Sequence, residues 1–135
     1  MELQVGVKAI IKNRQGEFLI LKRSPIKYPE VKNPWDIPGG RINLGSQLLE
    51  NLNREIEEEI QIKISGNPVL IDAQDIMRSE KHVVRLTYLV EGDGTPILSD
   101  EHTDYRWVSF KEAQEMSDID VFLKEVILKN VSRFI

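Results

Sequence analysis

The chain is expected to fold as α/β, a mixed β-sheet with helices on both faces. Three observations carry that expectation. Residues 39–62 (GGRINLGSQLLENLNREIEEEIQI) read as a glycine turn followed by one amphipathic helix. Val- and Ile-rich segments of strand length stand on both sides of that helix. Two further helix starts close the chain, at Ser109 and at Asp118 or Asp120. A sheet with helices both inside and after its strands buries each apolar face only when covered on both sides. With 135 residues there is enough chain for one domain over residues 1–135 and one core.

The elements follow in order. Leu3 to Lys12 and Glu17 to Arg23 read as strands, and the turn signal Asn13-Arg14-Gln15-Gly16 between them predicts a hairpin. Ser24 to Pro34 is a loop and Trp35 to Pro38 a short extended segment. Ile62 to Met77 holds one or two strands, with a break at Ser65-Gly66-Asn67-Pro68. Ser79-Glu80-Lys81 is a polar tip before the clearest strand, His82 to Glu91. Tyr105 to Ser109 is a last short strand. Ser109 and Glu112 then form a capping box for a helix to about Met116. Val121, Phe122, Val126 and Ile127 give the final helix its apolar spacing.

The central helix carries the chemistry. At 100° per residue, Leu48, Leu49, Leu52, Ile56 and Ile60 form one stripe, expected to be buried. Glu55, Glu58 and Glu59 stand at i, i+3 and i+4 on a neighbouring face. Like charges so placed cost a helix about 0.2–0.5 kcal/mol per pair, and the C-terminal end of the helix dipole opposes them further. A divalent cation reverses that cost, and hard oxygen ligands without Cys suit Mg²⁺ or Mn²⁺ rather than Zn²⁺. The plainer reading is a solvated acidic face, and the helix alone does not decide between the two.

Composition narrows the classes. Eighteen Lys and Arg against 22 Asp and Glu leave a net charge of −4, which argues against a nucleic-acid polymer as partner. The absence of Cys excludes a disulfide framework and thiolate chemistry. No apolar run reaches the length of a membrane span, and MELQVGVKAI lacks the build of a secretory signal, so a cytoplasmic location and no membrane partner are expected.

The stretch from Gly40 to Ile62 resembles the Nudix box, G-x5-E-x7-R-E-U-x-E-E-x-G-U with U aliphatic. Gly40, Arg54, Glu55, Ile56, Glu58, Glu59 and Ile62 match; Ser46 replaces the first Glu and Gln61 the second Gly. Trp35-Asp36-Ile37-Pro38-Gly39-Gly40 is similar to the approach to that box, and Glu101 to Val108 to a later segment in which a Glu precedes a Trp strand. Lys22-Arg23 is similar to the basic pair that ends the second strand in the MutT branch.

The resemblance implies a Nudix-type α/β/α sandwich. It also implies a metal-dependent hydrolase of the diphosphate bond in a nucleoside triphosphate or other nucleoside diphosphate derivative. It implies Mg²⁺, with Mn²⁺ as substitute, held by Glu55, Glu58, Glu59, Glu101 and the Gly39 carbonyl, with Arg54 among the catalytic residues. Arg23 and Arg41 are candidates for phosphate contacts because a guanidinium grips two oxygens. Asp118 and Asp120 are candidates for reading the base, though as residues they read first as helix caps. His102 and His82 read as structural, and Trp35 and Trp107 as packing. Ser46 is expected to cap the helix and to leave Arg54 without its family partner. Gln61 is expected to hold a positive φ at about 1 kcal/mol. ADP-ribose members carry a Pro after the box and diadenosine-polyphosphate members a Tyr slightly later. This chain has neither around Asp75 to Ser79, which leaves a MutT-like small-molecule nucleotide as the leading substrate. The alternative is a non-catalytic nucleotide-binding or sensor domain, which retention of the three glutamates opposes. A monomer or homodimer is expected.

Overall fold

The computed structural model describes residues 1–134; Ile135 lies outside the described residues. Seven strands form one mixed sheet: β1 (Glu2–Lys12), β2 (Phe18–Arg23), β3 (Trp35–Asp36), β4 (Gly39–Arg41), β5 (Ile64–Met77), β6 (Lys81–Gly92) and β7 (His102–Val108). Among the described residues three α-helices accompany them, α1 (Leu48–Ile60), α2 (Phe110–Glu115) and α3 (Val121–Lys129), followed by a 3-10 turn at Val131–Arg133. The sheet path is β3-β2-β1-β6-β5, with β4 on β1 and β7 on β2.

Strand alternation explains why both faces are covered. Val7, Ala9 and Ile11 of β1 and Leu19 and Leu21 of β2 pack with Leu52, Ile56 and Ile60 of α1. Ile10, Phe18 and Ile20 point the other way and pack with Ala113 of α2 and with Leu123, Val126 and Ile127 of α3. Every one of these side chains is at most 2% exposed, and full burial of a large apolar side chain is worth about 1.5–3 kcal/mol.

Three expectations need correction. The hairpin of β1 and β2 survives only at its neck, where Lys12 faces Phe18. β1 instead runs parallel to β6 along its full length, from Glu2 opposite Lys81 to Lys12 opposite Glu91. β2 diverges to pair with β7 and β3. The stripe of α1 starts late: Leu48 is 37% and Leu49 42% exposed, and Leu52 is its first buried apolar residue. Ser46 does not cap α1; the N-cap position is Gln47, without a side-chain bond.

Other expectations hold. The box of Ser109 and Glu112 caps α2 reciprocally. Asp120 caps α3 by accepting from the amides of Phe122 and Leu123, while Asp118 offers only its carbonyl, to Trp35. The break in residues 64–77 is an irregularity within β5, between Ser65 and Val69. Trp35 is buried in the core on the α3 side of the sheet, and Trp107 packs against the core on the α1 side. Gln61 ends α1 with φ 53° and ψ 35°, the left-handed conformation expected of the glycine it replaces.

Candidate active site

A cleft of about 500 Å³ opens where β4 bridges the sheet to α1. Gln4, Gly6 and Lys8 enter it as alternate residues of β1, and β3 contributes Asp36. Gly39, Gly40 and Arg41 of β4 form its edge, and α1 supplies Glu55 and Glu59. Glu101 and His102 come from the start of β7, and Asp120 from the N-terminus of α3.

Glycine is required at both positions of the turn, for different reasons. Gly39 has φ 145°, and a Cβ there would stand 2.1 Å from the Val7 carbonyl oxygen. At Gly40 a Cβ would meet the Glu55 carboxylate carbon at 2.7 Å. The missing side chain is therefore what lets the carboxylate of α1 lie against β4.

The carboxylate wall is built from both ends of the loop chemistry. Glu59 is 5% exposed. Burial pushes its carboxyl up to about 8; nearby Lys8 opposes this, while the charges of Glu55 and Glu101 add to it. The chain before β7 hangs on the free carbonyls ending α1: the Ile97 amide donates to Ile60 and the Ser99 amide to Glu59. That suspension carries Glu101 to the cleft, where it joins Glu55 beside Glu59. Glu58 lies outside the cleft, its side chain 59% exposed and 3.0 Å from the Arg54 guanidinium. Arg54 also reaches Glu55 at 3.1 Å and Asn51 at 3.1 Å. Arg54 is therefore well partnered without a Glu at position 46.

Asn51 does the bracing. It is fully buried, accepts from the Asn43 amide at 2.9 Å and donates to the Arg41 carbonyl at 3.0 Å. These bonds tie the loop after β4 to α1.

The cationic wall is organised by Asp36, which is 3% exposed. Arg85 grips both its oxygens, at 2.9 and 3.2 Å, and Arg23 and Lys8 approach at 3.4 and 3.5 Å. Burial alone would raise this carboxyl; Arg85, Lys8 and Arg23 outweigh it and hold the group well below the usual carboxylate range. Arg85 also reaches Asp120 at 3.3 Å. Arg23 lies over the Tyr28 ring at 5.6 Å. The imidazole of His102 is held down at about 4 by burial, then by Lys8 and Arg23.

Of the residues predicted from sequence, the cleft thus gathers Gly39, Glu55, Glu59, Glu101, Arg23, Arg41 and Asp120, and it leaves Glu58, Arg54 and Asp118 off its lining. Asp120 is engaged as helix cap and as partner of Arg85. Sequence reasoning missed Lys8, Asn51, Asp36 and Arg85. The available signal for two of them was a cation in mid-strand, within GVKAII and VVRLTY. Among the described residues, no group of three or more His, Cys, Asp or Glu side chains stands in ready metal-binding geometry. The donor set nevertheless fits a hard divalent cation: Glu59 is buried beside the carboxylates of Glu55 and Glu101, and the chain has no thiolate.

Comparison with known proteins gives the class. The NUDIX domain profile matches residues 2–129. A MutT protein from Methanosarcina mazei Go1 is 28% identical and superposes with TM-score 0.82, covering 95% of this chain and 92% of that one. A MutT NUDIX hydrolase from Burkholderia pseudomallei shares the fold at TM-score 0.78 and 23% identity, covering 96% and 99%. The asymmetrical bis(5'-nucleosyl)-tetraphosphatase of Rattus norvegicus is 29% identical over 82% of this chain and 76% of its own length. Nudix hydrolase 5 of Arabidopsis thaliana is 32% identical over 44% of this chain, a match spanning only 19% of that protein. The chain belongs to the NUDIX domain family. Its named relatives are hydrolases, which places it in that enzyme class, and hydrolases of this family generally use divalent metal cations.

Proposed function

We propose that the protein hydrolyses a diphosphate bond in a nucleoside triphosphate or other nucleoside diphosphate derivative, with Mg²⁺ and with Mn²⁺ as substitute. The observation that supports this most is the gathering in one cleft of three carboxylates, Glu55, Glu59 and Glu101, with three cations, Lys8, Arg23 and Arg41. Carboxylates with hard oxygens suit the ion, and the cations suit the phosphate oxygens. Residues 1–135 are read as one domain, cytoplasmic, monomeric or homodimeric, with no nucleic-acid polymer or membrane as partner.

Glu55, Glu59, Glu101 and the Gly39 carbonyl would hold the cation, and Glu58 would join by turning from Arg54. When bound, the ion neutralises phosphate oxygens and acidifies a water. The remaining chemistry belongs to the chain. Glu59 must give up the proton that burial favours before it can ligate. Arg23 and Lys8, held by Asp36, meet the phosphate chain beside the carboxylates. Arg54 donates to both Glu55 and Glu58 and so orients the two carboxylates along α1. The proton of the attacking water passes to a carboxylate of this wall.

The test is a panel of nucleoside triphosphates and diphosphate-linked nucleotides, with Mg²⁺ and with EDTA, and with products identified. Metal-dependent release of pyrophosphate or phosphate is expected. Tight binding without turnover of any member would favour the sensor reading. The rat relative's name supplies a second substrate, a dinucleoside tetraphosphate, and its cleavage in preference to triphosphates would move the assignment there.

A further inference from the structure

Three neighbouring strands floor the cleft, and their alternate residues form rows across it. Lys8 stands on β1 at the carboxylate end. Two residues back, Gly6 lies beside Arg85 of β6. Two further back, Gln4 lies beside Val83, which in turn faces Ile76 of β5. At roughly 3.3 Å per residue, the run from Lys8 to Gln4 covers about 13 Å. Along it the floor changes from cationic, through a bare position, to an apolar patch edged by the Gln4 amide and by Arg78.

The bare position has no structural reason to be glycine. Gly6 is absent from the glycines with positive φ. An added Cβ would meet only the Gly40 carbonyl oxygen, at 3.7 Å, an ordinary contact. Glycine inside a strand weakens it and commonly marks a site where something approaches the backbone closely. A larger side chain at Gly6 would rise from the cleft floor between Lys8 and Gln4.

We propose that Gly6 is a specificity-determining residue: its bare backbone is the floor on which the sugar and base of the nucleotide lie, with the base toward Val83 and Ile76 and the phosphates toward Lys8 and the carboxylates. This rests on the nucleotide hydrolase reading given above. The phosphate end and the nucleoside end are then separable by substitution, because a side chain at position 6 obstructs only the second.

The test compares the parent with Gly6→Ala and Gly6→Val. Both are expected to melt at or above the parent temperature, since either residue suits a strand better than glycine. The KM of the best nucleotide is expected to rise with side-chain size, by a few-fold for Ala and at least tenfold for Val. Turnover at saturation should stay within threefold of the parent, and Mn²⁺ affinity by calorimetry should not move. A KM within twofold of the parent in both folded variants overturns the assignment. So does an equal loss of Mn²⁺ affinity, which would mean that position 6 acts at the carboxylate end. If Gly6→Val melts below the parent, Gly6→Ala, whose Cβ has room, decides alone. A parent that turns over no member of the panel sinks the hydrolase reading itself, a result distinct from either.

Discussion

Gln61 carries an L side chain in a conformation that glycine adopts freely, with φ 53° at the end of α1. The left-handed region costs an ordinary residue about 1 kcal/mol. Gln61→Gly is therefore expected to stabilise the protein by about 0.5–1 kcal/mol and to raise Tm by about 2–4 °C, as read by calorimetry. A fall in Tm would mean that the Gln61 side chain makes a contact worth more than the strain. At Gly40 the same kind of swap works in reverse. Gly40→Ala places a methyl group against the Glu55 carboxylate, which is free to swing aside. The variant is expected to fold, with Mg²⁺ affinity and kcat each reduced at least tenfold in titration and initial-rate assays. Normal Mg²⁺ affinity would remove Glu55 from the metal wall. Both positions were visible in the sequence, as a match and a departure within a spaced pattern. What α1 does with Arg54 was not, because a pattern gives no partner. Asn51, three residues before Arg54, faces it from the same side of the helix.

At the scale of the element, α1 stays in place by apolar burial on one side and by Asn51 on the other. Asn51→Ala leaves the Asn43 amide and the Arg41 carbonyl without their protein partners. Stranding buried polar groups costs about 1–3 kcal/mol, so a loss of that size is expected in urea unfolding. Ser46→Ala, where no side-chain bond exists to lose, should stay within about 0.5 kcal/mol. Equal losses at the two positions would contradict Asn51 as the brace. The strands illustrate which elements were legible. β6 was plain from its density of Val, Leu, Thr and Tyr, and α2 from its capping box. The pairing of β1 was not, since a turn signal between two strands promises a hairpin and says nothing about a parallel strand arriving from far along the chain. The burial of Asp36 and Arg85 escaped for a related reason: each charge reads as exposed until the topology brings its opposite beside it.

For the whole molecule, charge in the cleft sets how stability responds to pH. The carboxyl of Glu59 lies at about 8 in the fold against an ordinary 4.5. Between those values the fold retains a proton that the unfolded chain has released. Its contribution is therefore full below 4.5 and lost as pH rises through 8. His102 works in the other direction: lowered to about 4 from 6.5, it costs stability only as pH falls below 6.5. In the window from 6.5 to 8, Glu59 acts alone of the two. The metal-free protein is expected to lose Tm across that window, and Glu59→Gln to flatten the decline. Mg²⁺ should raise Tm most at its upper end, because binding to the native state stabilises it and requires the deprotonated carboxylate. A parent whose Tm is level from 6.5 to 8 would contradict the buried, crowded Glu59.

The long parallel pairing of β1 with β6 bears on how the chain is made as well as on what it becomes. Residue 2 meets residue 81, and residue 12 meets residue 91, along the spine of the sheet. Closing loops of that span demands entropy before any pairing is gained, and folds dominated by such distant partners form slowly. During translation, the first strand must wait until some eighty later residues have left the ribosome before its parallel neighbour exists. Through that interval its apolar residues, Val7, Ala9, Ile10 and Ile11, have no sheet to join on that side. The nascent chain thus leaves that side of its first strand unpaired through most of its synthesis, the condition in which exposed apolar strand edges are prone to aggregate.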